Sequence, residues 1–339
     1  MPTKVLFVER KRSSFVSLEK VFRLVASALD PERFAASFAQ MPFSNDLVSV
    51  VRNLLFFRPE QADVYHVTGH VHYIVFRLPV ERTILTIHDL AFLHTRKGLR
   101  RFMLKKILLD WPLRRTRYVT AVSEATRDEI VSFLPQFEGK IRVIDNPLDP
   151  SLTPLARSAF RSERPVILQV GTMKHKNVVN LINALDGIEC ELRIVGDPDP
   201  EIIEAASRVS LHVEFLRQLD DRAMSEAYLD ADIVAFCSTY EGFGLPIIEA
   251  QAVGTPVITS NLRPMSDVAG EGAMLVNPHD PNSIREGIIR IINDEALRTS
   301  LVEAGYKNID RFRSDRVADR YMKLYDKVNQ SLETYQMLH

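Results

Sequence analysis

The chain has 339 residues, of which 46% are apolar and 26% charged, with a single tryptophan; this length predicts two hydrophobic cores of roughly 150 residues each, and the composition excludes a disordered or collagen-like chain. Its two cysteines, Cys190 and Cys237, lie far apart without C-x-x-C spacing, which excludes a disulfide framework and a cysteine zinc site. The net charge of -1 conceals a split, because residues 1–150 hold 23 Lys+Arg against 16 Asp+Glu (net +7) and residues 151–339 hold 20 against 28 (net -8), so the two halves are expected to serve different partners.

The first apolar run, 4–8, leads straight into Glu9-Arg10-Lys11-Arg12 and is too short for a signal peptide. No stretch approaches the 18 apolar residues of a spanning helix. The expectation is a cytoplasmic protein with no nucleic-acid partner. Short Val/Ile-rich runs at 5–8, 64–67, 84–87, 118–122 and 141–144 recur at 166–170, 192–195, 213–216, 233–237 and 256–259. They alternate with helical periodicity, as in Leu18-Val21-Phe22-Val25 and Leu181-Ile182-Leu185. This pattern predicts an α/β chain with doubly wound parallel sheets.

Between Arg96 and Arg117, nine Lys/Arg and one acid, Asp110, interleave with Phe102, Leu104, Ile107, Leu108, Leu109 and Trp111. Such a basic amphipathic segment suits an anionic membrane surface or a lipid-diphosphate acceptor; the plainer alternative is a helix packed on the sheet with its cations outward. The stretch 146–165 carries four prolines and reads as a linker. From Pro281 onward the chain reads as helical, with Phe312, Val317, Tyr321, Leu324 and Tyr325 spaced as one buried face.

Three constellations carry chemistry. Thr239-Tyr240-Glu241-Gly242-Phe243-Gly244-Leu245-Pro246-Ile247-Ile248-Glu249 follows a predicted strand and opens a helix marked by Pro246 and ended near Gly254. Glycines at such a loop let backbone N–H groups approach a diphosphate, and the helix N-terminus favours its charge. Glu249 leans back toward that end, within reach of a ribose. Gly171-Thr172-Met173-Lys174-His175-Lys176-Asn177 follows another strand, where a lysine can neutralise a diphosphate. Thr86-Ile87-His88-Asp89 places His88 at the carboxyl edge of a strand in the first half. Asp197-Pro198-Asp199 spells D-x-D, but alone it is a weak signal and no metal is expected.

The run from Glu241 to Glu249, in Glu-Gly-Phe-Gly-Leu-Pro-x-x-Glu-Ala followed by Gly254-Thr255-Pro256-Val257, resembles the signature of the family 4 retaining glycosyltransferases of the GT-B superfold, of the bacterial polysaccharide and lipopolysaccharide type. The resemblance implies two Rossmann-like domains facing across a cleft: 1–155 plus about 315–339 on the acceptor side, and 163–314 binding the donor. It implies transfer of a sugar, with retention, from a UDP-, GDP- or other nucleotide diphosphate sugar to a glycan or lipid-linked acceptor, without a cofactor, near the cytoplasmic membrane face. His88, Glu241 and Lys176 would be catalytic. Gly171, Thr172, Lys176, Gly242, Phe243, Gly244, Leu245 and Glu249 would bind the donor, with Glu241 on the transferred sugar, Glu249 on the ribose, Lys176 on the phosphates and the backbone of 242–245 on phosphates and sugar.

On the acceptor side, His88 would lie near the reacting sugar and Asp89 would orient the ring or the acceptor. Val122-Ser123-Glu124-Ala125-Thr126 resembles a family strand end in which Ser123 caps the next helix. Two departures stand out. Thr172 replaces a second cationic residue, a charge that Lys174 or Arg263 would supply. Arg10-Lys11-Arg12-Ser13 replaces a Gly-Gly pair, and Arg12 is expected to meet an anionic substrate. The competing readings are an inactive sugar-nucleotide-binding subunit and a nucleotide-sugar epimerase of related architecture.

Overall fold

The computed structural model describes residues 1–11, 17–44, 46–154 and 159–338, and the chain divides into two compact units, Met1–Pro147 with Ser314–His339, and Leu148–Arg313. Among the described residues twelve strands follow in chain order: β1 (Thr3–Glu9), β2 (Phe34–Gln40), β3 (Val64–Val67), β4 (Thr83–Ile87), β5 (Tyr118–Ala121), β6 (Ile141–Val143), β7 (Val166–Val170), β8 (Glu191–Val195), β9 (His212–Leu216), β10 (Ile233–Phe236), β11 (Val257–Ser260) and β12 (Met274–Val276).

The first unit holds a six-stranded parallel sheet in the order β2-β1-β3-β4-β5-β6. The second holds another, β12-β11-β10-β7-β8-β9. The ten apolar runs read from sequence are all strands. β2 and β12 are additional: both are sheet edges like β6 and β9, but Phe34–Gln40 is Ala/Ser-rich and largely exposed, and Met274–Val276 is only 3 residues long, so neither forms a continuous apolar run. The order reverses between β1 and β3 in the first sheet and between β7 and β10 in the second. Loops leaving the carboxyl ends of the two central strands therefore diverge and leave a crevice there, which is where open α/β sheets take ligands.

The first core includes Leu6, Val8, Val67, Leu85, Ile87 and Val119, and the second Ile167, Leu192, Ile194, Ile233 and Ile258, consistent with burial on both faces of central parallel strands. The last helix, Ser314–Leu338, belongs to the first unit. It is held by a buried polar ladder: Tyr325 Oη meets His66 Nδ1 at 2.9 Å, His66 Nε2 meets Thr86 Oγ1 at 2.7 Å, and Thr86 Oγ1 meets Thr120 Oγ1 at 2.6 Å. Arg320 adds hydrogen bonds to Asp145 (2.8 Å) and the Val143 carbonyl (2.6 Å).

The single buried face expected for 312–325 is corrected in one respect. Val317, Tyr321, Leu324 and Tyr325 are buried in this helix, but Phe312 precedes it and packs edge-on against Phe243 of the second unit, 5.5 Å between ring centroids. The helix restarts at Ser314 after the turn Asp310–Phe312, which breaks the periodicity.

Candidate active site

In the second unit the crevice lies between the loops after β7 and β10. Gly171, at φ +90°, turns the chain off β7, and a Cβ placed there would come within 3.0 Å of Lys176 Cε, so glycine both permits the turn and makes room for the lysine. A short turn, Lys174–Lys176, then brings Lys176 back over the sheet. Its ammonium sits 4.6 Å from the Phe236 ring centroid and pairs with Glu241 Oε1 at 2.7 Å. The two side chains are only 16% and 12% exposed, so this ion pair is largely withdrawn from water.

Asn177, which carries no assignment from sequence, braces this arrangement. It sits in the left-handed region (φ 62°), and its amide donates to the Cys237 carbonyl (3.0 Å) and the Pro278 carbonyl (2.7 Å). One side chain thus ties together the loops after β7, β10 and β12. The backbone N–H of Thr239 donates to the His175 carbonyl (2.8 Å), adding a second tie. The only sequence signal for Asn177 is its place directly after Lys176.

Beyond Glu241, Gly244 at φ +111° leads into the helix Leu245–Ala252, with Pro246 in its first turn. Phe243 turns its ring inward onto Phe312, so only its backbone is available to a ligand. Glu249, on the same helix and half-buried, accepts a 2.6 Å hydrogen bond from the hydroxyl of Tyr228. Alanine at Gly244 would hold an L-residue at a φ it rarely adopts, costing about 1–3 kcal/mol, and would press a Cβ to 3.0 Å from Ile247 Cδ1. Gly244→Ala is therefore expected to lower the melting temperature, which a thermal melt checks.

The Thr172 hydroxyl donates to the Asp197 carbonyl at 2.7 Å and so joins the loops after β7 and β8. Of the two candidate substitutes for a second cation, Arg263 pairs with Asp267 at 2.6 Å, whereas Lys174 is highly exposed, with Glu201 at 3.9 Å. The D-x-D pair is also occupied. Asp199 caps the helix Pro200–Arg208 by accepting the Ile202 N–H (2.9 Å), and Asp197 faces Arg217 at 3.4 Å.

In the first unit His88 follows β4 and is 3% exposed. Its Nε2 lies 2.8 Å from the Thr68 carbonyl, which only accepts, so Nε2 carries the proton and Nδ1 is left as an acceptor. Among the described residues Nδ1 meets no hydrogen-bonding partner. Burial first, then the charge of neighbouring His70, pushes the His88 pKa down to about 3, so the ring is neutral at pH 7.

Asp89 makes other contacts: Oδ1 accepts the Ala91 N–H (2.9 Å) and Oδ2 lies 3.5 Å from His70 Nε2, while the Thr68 carbonyl holds the His88 ring. His70, not singled out from sequence, stacks on His88 with centroids 5.9 Å apart. Ser123 caps its helix by accepting the Thr126 N–H (3.1 Å). Arg10, part of the basic loop expected to meet an anion, chelates Glu19 at 2.7 and 3.4 Å, and Arg12 lies outside the described residues.

Comparison with known proteins agrees with this geometry. Residues 155–308 match the family model described as "Glycosyl transferases group 1", and residues 23–152 that described as "Glycosyltransferase Family 4". The O-antigen chain mannosyltransferase B of Escherichia coli is 27% identical over 284 residues, 74% of this chain and 70% of that protein. The phosphatidyl-myo-inositol mannosyltransferase of Mycobacterium leprae is 32% identical over 164 residues, 45% of this chain and 43% of that protein. Among solved structures, sucrose-phosphate synthase from Thermosynechococcus elongatus superposes with a TM-score of 0.77 at 19% identity, covering 97% of this chain and 100% of that one. Anabaena HepE in complex with UDP and glucose also gives 0.77, at 16% identity, covering 96% and 100%. With two parallel α/β sheets of this order, the chain has the GT-B fold, and its two halves are similar in succession to the family 4 and the group 1 glycosyltransferases.

Proposed function

We propose that the enzyme transfers a sugar from a nucleotide diphosphate sugar to a hydroxyl of a glycan or lipid-linked acceptor, with retention of anomeric configuration. The observation that carries this reading is the Lys176–Glu241 pair at the β7/β10 switch point. A cation beside a glycine-rich helix entrance suits a departing diphosphate, and a carboxylate on the same loop suits the hydroxyls of the sugar attached to it. In this reading the 242–245 backbone flanks the phosphates and Glu249 receives the ribose. In the first unit, the acceptor side, His88 is read as a neutral imidazole near the reacting sugar. The names of the two mannosyltransferase relatives and of the UDP-bound HepE structure agree with a hexose on a nucleotide carrier.

The enzyme needs no metal or cofactor in this proposal, and EDTA is expected to leave turnover unchanged. The test of the whole is a panel of UDP-, GDP- and ADP-sugars scored by thermal shift, since a ligand at 100 times its Kd stabilises by roughly 2.7 kcal/mol. NMR of the product anomeric proton follows. No stabilisation by any donor, or an inverted product, overturns it.

The same proposal places the enzyme at the cytoplasmic membrane face through 96–117. Among the described residues no helix is long and apolar enough to cross a membrane. The packed-helix alternative holds for Leu109, Pro112 and Leu113, which are buried, but not for Trp111 between them, which is 50% exposed. It does not hold for Gly98–Lys105, which buries no residue and exposes Leu99 (74%), Phe102 (57%) and Met103 (50%) beside Arg100 and Arg101. Binding to anionic but not to neutral vesicles, lost at high salt, is the expected behaviour.

A further inference from the structure

We infer that Tyr228 is a positioning residue that sets the carboxylate of Glu249 for recognition of the donor ribose. The inference rests on the reading above that Glu249 meets the ribose. Tyr228 lies on the helix Asp221–Asp230 and is fully buried. Its hydroxyl donates to Glu249 Oε2 at 2.6 Å, a charge-assisted contact in the short range of O–H···O⁻ bonds. Its backbone is held as well: the Tyr228 carbonyl accepts from Thr255 Oγ1 (2.8 Å), and the Thr255 N–H donates to the Ala250 carbonyl (3.0 Å). The donor oxygen is therefore fixed relative to the end of the helix that carries Glu249.

The phenol is not needed there for packing, since phenylalanine would fill the same apolar space. A hydroxyl directed at a half-exposed glutamate orients that glutamate. Burial and the adjacent carboxylate push the phenol well above its usual titration range, so it remains a donor throughout the working pH range. With Oε2 held, the carboxylate plane cannot rotate freely, and its orientation toward a vicinal diol is set before the donor arrives. A pre-oriented hydrogen-bonding carboxylate rejects a ligand lacking the hydroxyl more strongly than a mobile one does.

The test measures the Kd of the nucleoside diphosphate identified by the donor panel and of its 2′-deoxy and 3′-deoxy counterparts. It compares the unaltered enzyme, Tyr228→Phe, Glu249→Gln and the double variant. The unaltered enzyme is expected to prefer the ribose form by about 10-fold or more, as for loss of a hydrogen bond to a charged group. Tyr228→Phe is expected to reduce that ratio to about 2–3-fold and to raise donor KM with kcat changed less than about 3-fold. The double variant is expected to match Glu249→Gln. Because the ratio compares two ligands on one protein, a loss of folded fraction cancels. Wild-type discrimination in Tyr228→Phe overturns the inference, whereas wild-type discrimination in Glu249→Gln overturns the ribose reading itself.

Discussion

Replacing Glu241 by glutamine is expected to tighten binding of a bare nucleoside diphosphate while cutting sugar transfer by on the order of 10²-fold or more. Lys176 Nζ is 2.7 Å from Glu241 Oε1, and both groups are mostly out of water, so the cation proposed for the diphosphate already has a carboxylate partner. An incoming diphosphate competes with the carboxylate for the lysine, and part of its binding energy goes into separating the pair. Glutamine keeps the shape but removes the competing charge, so Kd for the nucleoside diphosphate is expected to fall about 3–10-fold.

Transfer falls because Glu241 is also the group proposed to hold the sugar. The ligand-free variant is expected to lose about 1–3 kcal/mol of stability, since Lys176 is left with a poorer partner, and the diphosphate should restore it. Lys176→Met is the control: affinity and transfer should fall together. Isothermal titration with the nucleoside diphosphate separates the cases, and an unchanged Kd in Glu241→Gln would show that the pair does not gate the site.

The second large effect is acid destabilisation of the first unit. Burial is the main cause that pushes three imidazoles down: His66 and His88 to about 3, and His72 to about 4. Unfolded, each returns to its ordinary value near 6.5. Between these values the unfolded chain binds protons that the folded chain does not, so stability rises with pH and is lost as pH falls below about 6.5. From pH 7 to 5 the loss is about 2 kcal/mol per imidazole, up to about 6 for all three.

The physical origin is visible around each ring. His66 spans Tyr325 and Thr86, and His72 and His88 each hold a backbone carbonyl, with no carboxylate among the described residues hydrogen-bonded to any of the three to support an added proton. Urea unfolding at pH 7, 6 and 5 measures this loss. His66→Gln should lose less than the unaltered protein over the same range, by about one imidazole's share. A pH-independent midpoint for the first unit would contradict the assignment of buried neutral histidines.

Much of the fold was legible in the sequence because central parallel strands must be apolar on both faces, which leaves a local mark at runs such as Val166–Val170 and Ile233–Phe236. Two of the four edge strands leave a weaker one, because Phe34–Gln40 is largely exposed and Met274–Val276 has only 3 residues. The glycines, Glu241, Glu249 and Lys176 were legible as residues because each motif is contiguous and its loop needs those residue types. Their partnerships were not. Lys176 meets Glu241 across 65 positions, Tyr228 meets Glu249 across 21, and Tyr325 meets His66 across 259.

By itself, then, the sequence determined the class of fold and the loops that are candidates for the site, since both depend on local periodicity and backbone freedom. Tertiary structure alone decided that Lys176 pairs with Glu241, that Thr172 bonds the Asp197 carbonyl and Asp199 caps a helix, that Asn177 ties three loops together, and that the Tyr228 hydroxyl meets Glu249. The physical reason is strand order: placing β7 beside β10 brings two loops distant in the chain to one crevice, and no window of local sequence contains that adjacency.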